Sequence, residues 1–400
     1  MKKRTHHHSA VTTRRQALLA LLGTALLPAC GGGTDIAGVS SGGTGSFTTG
    51  SIIGLGSVIV NGIRYNDDKA AVSINGLSSS PADLKLGMVV RIQGSAITAA
   101  TATSLATAEA ASVSCSSEWK GVVEVVDPVA KTFTLLGLKV HVLDTTIFEG
   151  GLFNGALARE AVEVYGFSFT DPDSGDLALR ATRVEVKDQA LSSYRLSGVV
   201  SLLSSTTHTF QLGNTTINYA SAGATGLQNG QLVRVDLQTA TNASGHWVAT
   251  AVRGENTSSE PEDDHEAEIE GTITSISSSA ATAFSVGGIP VDASRVSNLP
   301  GLSLGMRVEV KGSILNGTVI ATEVEVEDDE DIEAQEYEFH GTISNLTSNT
   351  FDVRGYTVRY NGATRFEPLN TTLAEGLYVE VKAELQPNGD LLATKVEVAD

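Results

Sequence analysis

Cysteine, aromatic residues and positive charge are all scarce in this chain, and each scarcity excludes something. Two cysteines, Cys30 and Cys115, occur in 400 residues, so no disulfide framework can hold the fold together. Aromatic residues make up 5% and charged residues 18%, which fits neither an ordinary enzyme core nor a disordered acidic tail. Lys and Arg number 27 against 46 Asp and Glu, a net charge of −19. That balance opposes general binding to DNA or RNA, where Lys and Arg must neutralise phosphates. No apolar run reaches the roughly 18 residues of a membrane-spanning helix. No P-loop, Rossmann glycine pattern, Cys-x-x-Cys or HExxH occurs either.

What is present begins with an export signal over residues 1–29. Lys2, Lys3, Arg4, Arg14 and Arg15 form a basic start, and Ala17–Leu27 is an apolar stretch too short to span a bilayer. Thr13-Arg14-Arg15-Gln16 resembles a twin-arginine signal. Leu27-Pro28-Ala29-Cys30 resembles the lipobox of bacterial lipoproteins, with Pro28 a departure from the usual small or aliphatic residue. Cys30 is therefore the expected lipid anchor, and the membrane the first expected partner, at the bacterial cell envelope. A Gly/Ser-rich tether over 30–47 follows. Gly38-Val39-Ser40-Ser41-Gly42 matches G-x-S-x-G, but it lies in this tether, without the strand and helix that a nucleophile elbow requires. His6, His7 and His8 fall in the removed segment and carry no metal role.

The rest of the chain is a repeat. A Gly followed by an alternating apolar strand recurs as Gly87-Met88-Val89-Val90-Arg91-Ile92, Gly230-Gln231-Leu232-Val233-Arg234-Val235, Gly305-Met306-Arg307-Val308-Glu309-Val310 and Gly376-Leu377-Tyr378-Val379-Glu380-Val381. A further copy has Arg159 in the glycine position, and successive landmarks stand 72, 71, 75 and 71 residues apart. Phe133, Phe210, Phe284 and Phe351 keep step, in apolar contexts that predict barrel core. Each later copy closes with Ala-Thr-x-Val, at Ala181, Ala249, Ala321 and Ala393, whereas the first copy diverges with Ala106-Thr107-Ala108-Glu109.

Each unit offers about five short strands of period two, such as Val308-Glu309-Val310-Lys311, apolar on one side and charged on the other. Five strands in about 65 residues would leave long edges in a sandwich. A closed barrel removes the edges, and an OB-like Greek-key barrel is the expected form, with an SH3-like barrel as competitor. The fold class is thus all-β, a tandem array of about five small OB-like barrels. The units resemble a bacterial domain of unknown function, DUF family 5666, through Gly54-Leu55-Gly56-Ser57-Val58-Ile59-Val60-Asn61-Gly62, the Gly-Met-x-Val strands and the Ala-Thr-x-Val closers. The resemblance implies β-barrel repeats at the envelope and brings no catalytic residues.

The expected domains are 48–117, 118–190, 191–256, 267–327 and 337–400, with acidic linkers at 257–266 and 328–336. Arranged in a row, five units would reach on the order of 100 Å. No catalytic residue, cofactor-binding residue, metal ligand or cofactor is expected. His141, His208, His246, His265 and His340 are scattered over different units. Asp171-Pro172-Asp173-Ser174-Gly175-Asp176 lacks calcium-loop spacing and reads as a hairpin tip. Trp119 and Trp247 are the two candidates for stacking on a sugar. Three functions are compatible with these features. The first is a non-enzymatic scaffold or interaction arm, partnering an envelope protein or glycan. The others are an oligosaccharide or small-ligand binding module, and a calcium-responsive spacer working through the acidic joints.

Overall fold

The computed structural model describes residues 45–150, 153–171, 174–254, 262–277, 281–327, 336–369, 371–386 and 388–399. The leader with Cys30, nearly all of the tether, Pro172 and Asp173, half of the first acidic linker (257–261) and nearly all of the second (328–335) lie outside the described residues. Among the described residues there is no α-helix, and none long and apolar enough to cross a membrane.

Barrel 1 comprises β1 (Ser46–Ser51), β2 (Gly54–Leu55), β3 (Val58–Val60), β4 (Ile63–Asn66), β5 (Ala71–Ile74), β6 (Leu77–Ser79), β7 (Val89–Gly94) and β8 (Ala106–Cys115). Barrel 2 comprises β9 (Trp119–Asp127), β10 (Thr132–Leu135), β11 (Leu138–Glu149), β12 (Ala161–Thr170) and β13 (Leu177–Lys187). Barrel 3 comprises β14 (Tyr194–Ser204), β15 (Thr209–Leu212), β16 (Thr215–Asn218), β17 (Leu232–Thr241) and β18 (Trp247–Gly254). Barrel 4 comprises β19 (Glu266–Ile276), β20 (Ala283–Val286), β21 (Ile289–Asp292), β22 (Arg307–Leu315) and β23 (Thr318–Val326). Barrel 5 comprises β24 (Glu336–Thr342), β25 (Thr350–Val353), β26 (Tyr356–Arg359), β27 (Arg365–Glu367), β28 (Tyr378–Leu385) and β29 (Leu391–Val398).

One strand order recurs in all five. In barrel 2 the first strand pairs with the second and fourth, the second with the third, and the fourth with the fifth, all antiparallel. The third then meets the fifth in parallel, as β4 with β8, β11 with β13, β16 with β18, β21 with β23 and β26 with β29. An antiparallel SH3-like meander has no such contact. The parallel closure makes these OB-like barrels.

Each sequence landmark has a structural cause. The landmark residue sits at positive φ, at Gly87 (76°), Arg159 (75°), Gly230 (85°), Gly305 (79°) and Gly376 (83°). Its N–H donates to a carbonyl in the first strand or just past its end, at Ile52, Val123, Val200, Ile273 and Ile343 respectively, over 2.8–3.0 Å. The turn that starts the fourth strand is thereby fastened to the first. Only glycine adopts that φ without cost, and Arg159 pays it.

The Thr of Ala-Thr-x-Val is the extra residue of a β-bulge. The register between fourth and fifth strands slips there, for example from Lys311↔Glu323 to Gly312↔Ala321. The hydroxyls of Thr250, Thr322 and Thr394 donate across the bulge to the carbonyls of Asp236, Lys311 and Lys382. A bulge at this point increases twist and helps a small sheet to close.

The repeated phenylalanines are core, with Phe133, Phe210, Phe284 and Phe351 at most 4% exposed. Each faces a smaller residue on the third strand, as Phe351 faces Val358. Barrel 1 inverts the pair, with Val58 opposite Tyr65, and the buried Tyr65 supplies the aromatic volume from the other side.

The barrels do not form a row. Ser41–Asp400 is a single compact unit, and barrel 1 is its hub. All six residues of β1 are buried, because β1 pairs in parallel with β19 of barrel 4 from Ser46↔Glu266 to Thr49↔Ile269. Phe47 on that strand lies in the core of barrel 4. β2 continues the first strand and pairs in parallel with β24 of barrel 5. Barrels 2 and 3 meet through β9 and β14, at Lys120↔Arg195. The extended arm expected from the sequence is replaced by a cluster, because the first strands keep unpaired edges that satisfy one another.

Candidate binding cavity

Four of the barrels border a half-open cavity of about 670 Å³, within the size range of small-molecule sites. Its first wall is the outer face of barrel 1, where Thr49, Arg91, Ser114 and Ser73 stand side by side in register on four adjacent strands. Barrel 3 contributes a second wall with Leu232, Arg234 and Arg253, the two arginines being direct cross-strand partners. Barrel 2 adds Phe167 and Ser168, and barrel 4 adds Glu270, Thr272 and Ile289.

The arginines are held by a polar network. Arg195 donates to Asp236 at 3.1 Å and to Ser117 Oγ at 2.9 Å, and also reaches Asn75 of barrel 1. Arg253 pairs with the same Asp236, and Arg234 with Glu118 at 3.4 Å. Against burial, which raises it, hydrogen bonds from Arg253 and Arg195 and the charges of both arginines hold the Asp236 carboxyl below its usual range. Glu270 pairs with Arg307 and accepts from the Ser51 N–H at 3.2 Å. Cys115 also lines the cavity, and burial pushes its thiol far above the usual range. It stays protonated and unreactive.

A second polar cluster lies where barrels 1 and 5 meet. Glu338 and His340 share one face of β24, and Glu380 is directly opposite His340 on β28. Their ligand atoms lie within 4.8 Å of one another, an arrangement able to hold a metal ion. Arg64 of barrel 1 projects into it, ion-paired to Glu338 and 2.6 Å from His340 Nε2. The guanidinium supplies the positive charge that these ligand atoms seek, so the trio works as an ionic joint between the two barrels.

The other residues singled out by the sequence fall into structural places. Trp119 is fully buried at the joint of barrels 2 and 3, its Nε1 donating to the Ser197 carbonyl at 3.2 Å. It offers no open face for a sugar. Trp247 is half-buried and meets Tyr194 edge-on at 5.6 Å. Asp171 starts a hairpin turn closed by its N–H to the Asp176 carbonyl. Its buried carboxylate pairs with Lys139 at 2.8 Å and lies 3.4 Å from His141. Burial lowers the His141 pKa, and Asp171 opposes that fall. Cys30 lies outside the described residues.

Reading the sequence for catalytic motifs missed Arg91, Arg195, Arg234 and Arg253. The available signal was the sign of one residue in the landmark strand, Arg91 and Arg234 in copies one and three but Glu163, Glu309 and Glu380 in the others.

No curated protein matches the chain. Among solved structures, "drosophila Unr CSD456" is similar at 14% identity, covering 53% of this chain and 98% of its own, with a TM-score of 0.14. The family model "Domain of unknown function (DUF5666)" matches residues 120–185, 270–325 and 340–397, which fall in barrels 2, 4 and 5. Barrels 1 and 3 lie outside those matches yet keep the same strand order. Three of the five barrels are DUF5666 repeats.

Proposed function

We propose that this chain is a non-enzymatic protein of the bacterial cell envelope, anchored through an acylated Cys30, whose barrel cluster serves as an interaction scaffold. The observation that carries the scaffold reading is the strand pairing of barrel with barrel, β1 with β19 and β2 with β24. Barrels joined by backbone hydrogen bonds hold their outer faces in fixed relation, as a platform for partners requires. The residues best suited to catalysis are engaged in structural hydrogen bonds, His141 with Asp171 and His340 with Glu338. The anchor reading rests on Leu27-Pro28-Ala29-Cys30 and the three glycines after it.

Cell fractionation with mass spectrometry of the native N-terminus tests the anchor. The expected result is a lipid-modified Cys30 in the membrane fraction, released to the soluble fraction by Cys30→Ala. An unmodified Cys30 with no change in location would end the anchor reading. Chemical crosslinking in intact cells tests the scaffold, and a chain recovered without any envelope partner would end that reading.

A second reading, binding of an oligosaccharide or other small ligand, is favoured by the 670 Å³ cavity. Calorimetry with cell-wall and polysaccharide fractions tests it, and no heat with any of them would remove the glycan form of this reading.

A further inference from the structure

We infer that the central cavity is a binding site for a small organic anion, with its charged group on the Arg91, Arg234 and Arg253 side and its apolar part against Leu232 and Phe167. The inference deepens the small-ligand reading by naming the ligand class.

The argument starts from one structural row. On the outer face of every barrel, one residue of the fourth strand stands opposite one residue of the fifth. In barrels 2, 4 and 5 this pair is acidic on both strands, Glu163↔Glu185, Glu309↔Glu325 and Glu380↔Glu397. In barrel 3 it is Arg234↔Arg253, and in barrel 1 it is Arg91↔Ser114. The sign of the row is therefore inverted in two barrels, and in both the row lines the cavity. Nothing in the barrel fold requires the inversion, because barrels 2, 4 and 5 close in the same strand order with glutamates there.

Charge in the cavity runs against the rest of the chain. Its walls hold Arg91, Arg195, Arg234 and Arg253 against Glu118 and Glu270, within a chain of 27 basic and 46 acidic residues. Glu270 is already committed to Arg307. Every one of these arginines has protein partners, so what the cavity shows is an excess of charge and not of vacant hydrogen bonds. Positive charge gathered in a partly enclosed, low-dielectric space attracts and retains anions far more strongly than on an open surface. Planar guanidinium groups suit carboxylate or phosphate geometry. Part of the remaining wall suits carbon, with Leu232 and Phe167 lining the same space. Small hydroxyl residues at Ser73, Ser112 and Ser114 leave room for a guest.

The test uses the mature protein and three probes, hexanoate, inorganic phosphate and hexan-1-ol, by titration calorimetry and thermal melting. Hexanoate is expected to release heat and raise Tm at millimolar concentration, more than phosphate does, while hexan-1-ol does neither. Arg91→Gln should weaken hexanoate binding about tenfold, the loss of one charge-assisted contact. Ser114→Leu, which fills the space beside Arg91, should abolish it. Arg253→Gln is the safeguard against misfolding, because that side chain is 60% exposed, and it should also weaken binding. Absence of heat with hexanoate, an equal response to hexan-1-ol, or binding unchanged in all three variants would overturn the inference.

Discussion

Barrels 1 and 5 share a topology and differ in what their outer faces touch. Inward positions match, with Val90, Ile92 and Val113 of barrel 1 standing where barrel 5 has Val379, Val381 and Val396, all buried. Outward positions diverge. Barrel 5 pairs Glu380 with Glu397 and Lys382 with Lys395, the half-exposed charged face of its sheet. At the same two levels barrel 1 pairs Arg91 with Ser114 and Gln93 with Ser112. Its first strand is buried throughout, because other barrels cover it. The inner pattern makes a barrel, and the outer pattern records the neighbours. Divergence in the first copy is therefore a mark of central position.

The sharpest way to break this comparison is at Phe47. That residue belongs to barrel 1 by sequence but is fully buried in the core of barrel 4. Phe47→Ala is expected to cost about 3–5 kcal/mol, with hydrogen exchange rising along β1 and β19. Phe351→Ala removes a buried ring of barrel 5 at similar cost, but should leave the β1–β19 amides protected. If the two variants expose the same amides, barrel 1 is not the hub.

The two seams of barrel 1 should also respond oppositely to pH. At the seam with barrel 4, burial and a hydrogen bond with Glu309 push Glu268 up to about 8, and Lys311 opposes them. A raised carboxyl pKa contributes stability that is complete below the ordinary value near 4.5 and is lost as pH rises through about 8. At the seam with barrel 5, burial would raise Glu338, but the hydrogen bond from His340 and the charges of Arg64 and Lys382 hold it below its ordinary value. That contribution is present above pH 4.5 and is lost as pH falls through the lowered value. Urea midpoints across the pH range check both. Glu268→Gln should flatten the alkaline loss and Glu338→Gln the acidic one, and a profile untouched by either substitution would refute the assignment.

Smaller effects separate a bulge threonine at a joint from one facing water. Thr182 is buried and donates at 2.6 Å to the Gly87 carbonyl of barrel 1, so Thr182→Val should cost about 1–3 kcal/mol by leaving a buried acceptor unpaired. Thr394 stays within its own barrel, its hydroxyl shared between the Lys382 carbonyl and the exposed Glu336 carboxylate, and Thr394→Val should cost about 0.5–1 kcal/mol. Opposite in sign is Arg159→Gly, which relieves a positive φ of 75° and should stabilise barrel 2 by about 1 kcal/mol. Denaturant titration measures all three, and a destabilised Arg159→Gly would mean that the side chain has a packing role.

Much of this was legible beforehand, because strand period, turn glycines and core aromatics are local. Alternation in Val308-Glu309-Val310-Lys311 predicted a half-buried strand, and β22 has that pattern. The series Phe133, Phe210, Phe284 and Phe351 predicted core and is buried. Gly50, by contrast, went unremarked, although a Cβ there would stand 2.8 Å from Val60 Cγ1. Gly271 and Gly341 make the same close approach to Val286 and Val353 at 2.9 Å. The match was hidden because barrel 1 has Val60 at the end of a three-residue β3 and lacks the phenylalanine that marks the other copies. Trp119 was equally illegible as buried, since what covers it comes from the next barrel.

Taken alone, the amino-acid order determined the five-fold module, the period-two strands, the aromatic cores and the acidic character, because each depends on residues close in the chain or on simple sums. Tertiary structure decided that the modules cluster around the first, that Phe47 serves another barrel, and that arginines from separate copies share one cavity. Those outcomes rest on pairing between strand edges more than two hundred residues apart, such as Ser46↔Glu266. An open edge is the same in every strand until a partner closes it.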